Sequence, residues 1–239
     1  MQTIIIVGEK FAAFARAGQV QCISAVQALF EQPDVQLGNV EFVLGQGVSP
    51  ARVSALLRLA ETRGLRKNLR FDQIEKCGQR HVHKQQPQNS VVSVPKRLGE
   101  DLFSSELSLE DDCELLSDHV AGKHLQGMVL IEAARQMCLA VTEEFFSAAY
   151  SSGTAFLWTS ISVRFLGYAF PSHLHLVYRV LEHTQKQAKS DSFVVEIEFV
   201  QGKNAVAACN LTFETRDKVA VERRETKLAL AAASATADP

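Results

Sequence analysis

From Gly127 to Phe146 the chain runs through Met, Val, Leu, Ile, Ala and Phe with few interruptions, and this stretch constrains the fold more than any other. Apolar residues around most of a helix circumference have to face protein rather than water, so the rest of the chain must enclose it. A glutamate inside such a helix needs a charged partner, a hydrogen bond or a task, because an isolated buried carboxylate is costly. Glu132, Arg135 and Gln136 stand at i, i+3 and i+4 and share one face, a polar stripe on an apolar rod. Spacing alone leaves two readings open: an intrahelical ion pair that satisfies itself, or a chemical site. The residues upstream weigh toward a site. Asp118-His119-Val120-Ala121-Gly122-Lys123-His124 is a histidine-rich turn, and the loop ending at Gly122 can carry the His119 imidazole to a carboxylate on the helix of a second copy.

Composition narrows the function classes. A chain of 239 residues with 46% hydrophobic content can bury one large core or two small ones. Its formal charge of -2 and lack of a dense Lys/Arg patch argue against nucleic acid, and the Arg63 to Arg70 cluster reads as a solvated helix end and linker. Cys22, Cys77, Cys113, Cys138 and Cys209 are scattered without a C-x-x-C pair, which suits a reduced cytoplasm rather than a disulfide framework or a zinc site. His81/His83 and His173/His175 alternate on expected strands, but no carboxylate or cysteine accompanies them at metal-ligand spacing, so no metal is expected. The Ile4 to Val7 run is too short for a signal peptide, and no segment approaches the roughly 20 apolar residues of a membrane span. A cytoplasmic protein without membrane partners is the expectation.

Along the chain, residues 3 to 7 read as a strand, 19 to 31 as a helix, 40 to 44 as a strand, 51 to 63 as a helix announced by Ser49-Pro50, and 69 to 71 as a short strand. This rhythm predicts a small α/β (βαβα) domain with a parallel sheet over residues 1–72, of unknown role. Gly8 and Gly45-x-Gly47 follow the strands, but without a G-x-G-x-x-G or G-x-x-x-x-G-K-[ST] pattern they read as strand-ending glycines. Residues 73 to 90 are polar and read as a linker. Strands are expected at 90–95 and 101–108, a long helix at 127–149, and antiparallel strands at 155–168, 173–181, 192–200 and 204–214. Residues 216–239 form a charged, Ala-rich tail, either a frayed helix or disordered.

Asp118-His119, Lys123-His124 and Gln126-Gly127-Met128-Val129-Leu130-Ile131-Glu132-Ala133-Ala134-Arg135-Gln136 closely resemble the signature of the A-factor biosynthesis (AfsA-like) hotdog family. Val82-His83-Lys84, Val91 to Val94 and Arg97 to Phe103 resemble that family's opening strands, and Val163 to Tyr168 is a weaker match. The resemblance implies an α+β fold, a single hotdog domain over residues 80–215 in which an antiparallel sheet wraps the long helix, preceded by the α/β domain. More distantly, His119 to Gly122 and Glu132 resemble the landmarks of the β-hydroxyacyl-ACP dehydratases, although Gln126 replaces the proline before Gly127 and the His-to-Glu interval is one residue shorter. Family members that make A-factor-type signals carry two hotdog repeats; with one, a homodimer with a composite site is expected.

The family resemblance implies transfer of a β-ketoacyl group from acyl carrier protein to a hydroxyl of dihydroxyacetone phosphate, on the way to butyrolactone or butenolide signals. The substrate would arrive on a phosphopantetheine arm, or as acyl-CoA, with no other cofactor. Glu132, partly desolvated, is expected to hold its proton more tightly and to act as general acid or base, with His119 orienting substrate or sharing the proton. Backbone N–H groups at Gly127 and Met128 can polarise the thioester carbonyl, and glycine there permits close approach. Arg135, Lys123 and Lys84 are the candidate cations for a phosphate, Gln136 shares the polar face, and His124 is either a capping imidazole or a substrate contact. Phe156, Trp158, Phe165 and Phe199 read as core or tunnel lining. A hotdog dehydratase, a thioesterase and a non-catalytic acyl-binding protein remain alternatives.

Overall fold

The computed structural model describes residues 2–16, 18–72, 74–118, 122–146, 153–187 and 190–237. Strands β1 (Gln2–Val7), β2 (Val20–Cys22), β3 (Val40–Leu44) and β4 (Leu69–Arg70) form a parallel sheet in the order β2-β1-β3-β4. Helices α1 (Ile23–Glu31) and α2 (Pro50–Thr62) pack on the face that carries Ile4, Ile6 and Phe42, burying Ile23, Val26, Phe30, Leu56 and Ala60 with them. Ile5 and Val7 alternate to the other face and join a second core shared with the rest of the chain. Burial on both faces accounts for the unbroken apolar run of β1.

The helix expected over 19–31 begins only at Ile23. Val20 to Cys22 instead pair in parallel with Ile5 to Val7, so sheet pairing overrides the helical pattern at that end. The glycines after the strands serve packing: a Cβ on Gly8 would lie 1.6 Å from the carbonyl oxygen of Gly47. Gln46, beside them, is buried and ties the halves together. Its Nε2 donates to Leu107 O at 2.9 Å and its Oε1 accepts from Leu109 N at 2.7 Å.

The second sheet comprises β5 (Lys96–Arg97), β6 (Leu102–Glu106), β7 (Thr154–Phe165), β8 (His175–Gln187), β9 (Ser190–Gln201) and β10 (Asn204–Asp217), antiparallel in the order β5-β6-β8-β9-β10-β7. Across it lies α5 (Gly127–Phe145), preceded by the single turn α4 (Glu114–Ser117). Val129, Leu130, Ala133, Met137, Cys138 and Val141 of α5 meet the inward residues Phe103, Tyr178, Val195, Ile197, Phe199 and Leu211, all buried. β9 alternates buried and half-buried positions almost without exception, the pattern of a sheet with one face on a core. No strand pairs across the two sheets among the described residues. The enclosed helix and the antiparallel strands are those expected of a hotdog.

Two segments differ from expectation. The polar linker holds a helical turn, α3 (Gln79–Val82), whose Val82 is buried against α5. Residues 90–95 make only isolated bridges, Lys76 to Ser93 and Val92 to Leu107, because the Val91 N–H is taken by the Gln136 side chain rather than by a strand. Beyond β10, α6 (Lys218–Ala237) is a helix with most of its surface exposed; its first turns touch β7 and β10.

Candidate functional site

Glu132 sits on the first half of α5 with 16% of its side chain exposed, and its carboxylate is fully engaged. Arg135 grips it through one edge of its guanidinium, Nε donating to Oε2 at 2.8 Å and Nη2 to Oε1 at 2.9 Å, the two-point geometry that a planar guanidinium makes with a carboxylate. Gln136 Nε2 donates to Oε1 at 2.9 Å, and Lys84 Nζ, arriving from the segment after α3, lies 3.0 Å from the same oxygen. Burial pushes the Glu132 pKa up, but the hydrogen bonds from Arg135, Gln136 and Lys84 and the guanidinium charge outweigh it and bring it down to about 2. The expectation of a tightened proton is thereby reversed: Glu132 is ionised at neutral pH and has no proton to give.

Gln136 is fully buried, and its amide is spent within the protein. Besides Glu132 it donates to Asn89 O at 2.8 Å and accepts from Val91 N at 2.8 Å, so it pins the 89–91 segment to α5 and presents no surface to a substrate. Gly127 does allow a close approach, but the ring of Phe165 makes it: a Cβ there would lie 2.6 Å from Phe165 Cζ. Met128 is exposed. Lys123 and His124 are exposed too; the His124 ring lies 4.9 Å from that of Tyr168, and neither residue is among the partners of Glu132. His119 lies outside the described residues.

Arg135 also borders a cavity of about 950 Å³. From α5, Arg135, Leu139 and Glu143 face it at i, i+4 and i+8; Phe156 and Trp158 of β7 form an apolar wall, and His83 closes the α3 side. Arg135 Nη1 has no protein hydrogen bond among the described residues. A guanidinium held in place, an apolar wall and a histidine thus meet at one opening. Phe156 and Trp158 line it and Phe199 lies in the core, both within expectation, whereas Phe165 is exposed. His173 meets a carboxylate across the β6/β8 pairing, Nε2 lying 2.6 Å from Glu106 Oε2; no group of three or more His, Cys, Asp or Glu side chains is placed to hold a metal among the described residues.

The A-factor biosynthesis hotdog domain matches residues 67–217, a span that contains α3, α5 and the whole antiparallel sheet. The chain belongs to the A-factor biosynthesis hotdog family. Among solved structures it is similar to a conserved protein of Pseudomonas aeruginosa, at 22% identity over 51% of this chain and 86% of that one, with a TM-score of 0.36. A thioesterase of Haemophilus influenzae matches at 14% identity over 53% and 78%, TM-score 0.37, and a thioesterase of P. aeruginosa at 10% over 52% and 81%, TM-score 0.38. A search of curated proteins gave no match.

Sequence reasoning missed the pairing of His83 with Glu143 and the place of Arg80 on the cavity rim. A signal existed for Glu143, which continues the face of Arg135 and Leu139. For His83 the Val82-His83-Lys84 resemblance marked the position, but as part of an opening strand, and it gave no sign of a carboxylate 60 positions away.

Proposed function

We propose that this chain is an acyl-thioester enzyme that moves a β-ketoacyl group from an acyl carrier protein, or from acyl-CoA, to a hydroxyl acceptor, working in the cytoplasm as a homodimer. Membership of the family supports the acyl chemistry. The observation that carries the reading further is Arg135: bound through two hydrogen bonds to Glu132 and bordering the cavity, it offers a pre-positioned cation beside an apolar wall. Leu139, Phe156 and Trp158 suit the acyl portion, and the guanidinium suits a carbonyl oxygen gaining negative charge or an anionic acceptor. Glu132 contributes as a fixed anion that holds Arg135 and Lys84, and His119 is proposed to orient substrate from the loop before α5. The transfer needs no cofactor beyond the phosphopantetheine arm.

The ionised state of Glu132 disfavours the dehydratase alternative, which requires an acid to protonate the departing hydroxyl. The dimer reading is supported by β7, an edge strand of 12 residues whose outer row of backbone groups has no partner strand among the described residues and which exposes Trp158, Ile161 and Phe165. Five free cysteines suit a reducing compartment, and no helix of the described residues is long and apolar enough to cross a membrane. The test is mass spectrometry of purified protein in three incubations. A β-ketoacyl thioester should give a new ester only when a hydroxyl acceptor such as dihydroxyacetone phosphate is added. Free acid and thiol without acceptor would make it a thioesterase, enoyl product from a β-hydroxyacyl thioester a dehydratase, and inertness an acyl-binding protein.

A further inference from the structure

α3 ends on His83 with φ 53° and ψ 46°, the one non-glycine residue in the left-handed region among the described residues. A side chain there costs roughly 1–2 kcal/mol, and glycine or asparagine is the usual occupant. Strain of this kind gathers where a side chain must be aimed. The imidazole is aimed at α5: its Nε2 lies 3.4 Å from Glu143 Oε1, and its ring meets that of Phe156 edge-on with centroids 5.4 Å apart. Both His83 and Glu143 line the cavity that Arg135 borders. With Nε2–H directed at the Glu143 carboxylate, Nδ1 carries the lone pair, and Nδ1 has no protein partner among the described residues.

We propose that His83 is the general base of the acyl transfer, with Glu143 as the positioning residue that sets its tautomer; the assignment rests on the acyl-transfer reading above. In the step, the acceptor hydroxyl oxygen attacks the thioester carbonyl carbon while Nδ1 takes its proton. Arg135 steadies the carbonyl oxygen as charge gathers on it. The carbonyl re-forms, the C–S bond breaks, and the imidazolium returns the proton to the departing thiolate, so that ester and free thiol leave and the enzyme is unchanged. The charged groups that line the cavity with His83 are Arg80 and His81 from α3 and Arg135 and Glu143 from α5. Lys218, Glu222 and Glu225 line it from α6. A mixed field of this kind leaves Glu143, the one carboxylate in contact among the described residues, to orient the ring.

The test follows thiol release from a β-ketoacyl thioester, with and without acceptor, in wild type, His83→Asn and Glu143→Gln. Asparagine tolerates the left-handed turn, so His83→Asn removes the base without adding backbone strain. It should lower kcat by about 10²–10⁴-fold, the range for loss of a general base, with KM little changed and the acidic limb of the rate profile gone. Glu143→Gln should keep that limb, displaced along the pH axis, with a smaller fall in kcat. Wild-type turnover in His83→Asn, or a retained acidic limb, overturns the base role and leaves the transfer reading standing. Inert wild-type protein overturns both together.

Discussion

Replacing Glu132 with glutamine keeps the shape of the side chain and removes the charge that Arg135 and Lys84 share, so it weighs the ion cluster directly. The carboxyl falls from an ordinary 4.5 to about 2 in the folded protein. At about 1.4 kcal/mol for each pH unit of displacement, the folded state gains roughly 3 kcal/mol from the ionised form. With 16% of the side chain exposed, little of this is lost to solvent screening. Because the folded value lies below the unfolded one, the contribution is complete above pH 4.5, shrinks as pH falls, and is gone below about 2. Glu132→Gln should therefore be about 3 kcal/mol less stable than wild type at pH 7, a loss of roughly 6–12 °C in Tm for a domain of this size. The gap should close on acidification. Urea unfolding of both proteins at pH 7, 5, 4 and 3 reads it. Equal stability at pH 7, or a gap that does not change with pH, would refute the account, since either result means that the four-residue cluster repays no more than it costs to desolvate.

Gln136→Leu strips partners from Val91 N and Asn89 O; at about 1–3 kcal/mol for each buried group left unpaired, it should destabilise the protein and raise the amide exchange rate at Val91, measured by hydrogen exchange. Gly8→Ala forces a methyl into the Gly47 carbonyl, where no side chain can yield, and should cost more than the ~1–3 kcal/mol of ordinary overpacking, seen as insoluble or strongly destabilised protein. Ile161→Lys, on the exposed edge strand, should convert the expected dimer to monomer in sedimentation velocity without lowering monomer stability; an unchanged sedimentation coefficient would place any dimer contact elsewhere.

Much of the fold was legible because its period was legible. The long helix announced itself through an apolar circumference, and the last four strands through alternation and turn-prone breaks. The failures lie where long-range partners decide. Val20 to Cys22 continue a helical pattern but take the free edge of β1, and nothing local reports that edge. Residues 90–95 look like a strand yet surrender a backbone N–H to a glutamine 45 positions away.

Glu132 shows the same limit at the candidate site. Its helix, its burial and its neighbours at i+3 and i+4 are all in the sequence, and desolvation read alone predicts a raised pKa. The sign turns on strength of pairing: a guanidinium gripping with two donors is worth far more than an i, i+3 neighbour in water, and Lys84 comes from a segment 48 positions upstream that reads as linker. Once α3 folds against α5, that segment delivers two things together, an ammonium to Glu132 and an imidazole to Glu143. The carboxylate that looked like the acid is thereby held as an anion, and in the mechanism proposed above the proton is taken instead by His83, which contacts Glu143 rather than Glu132.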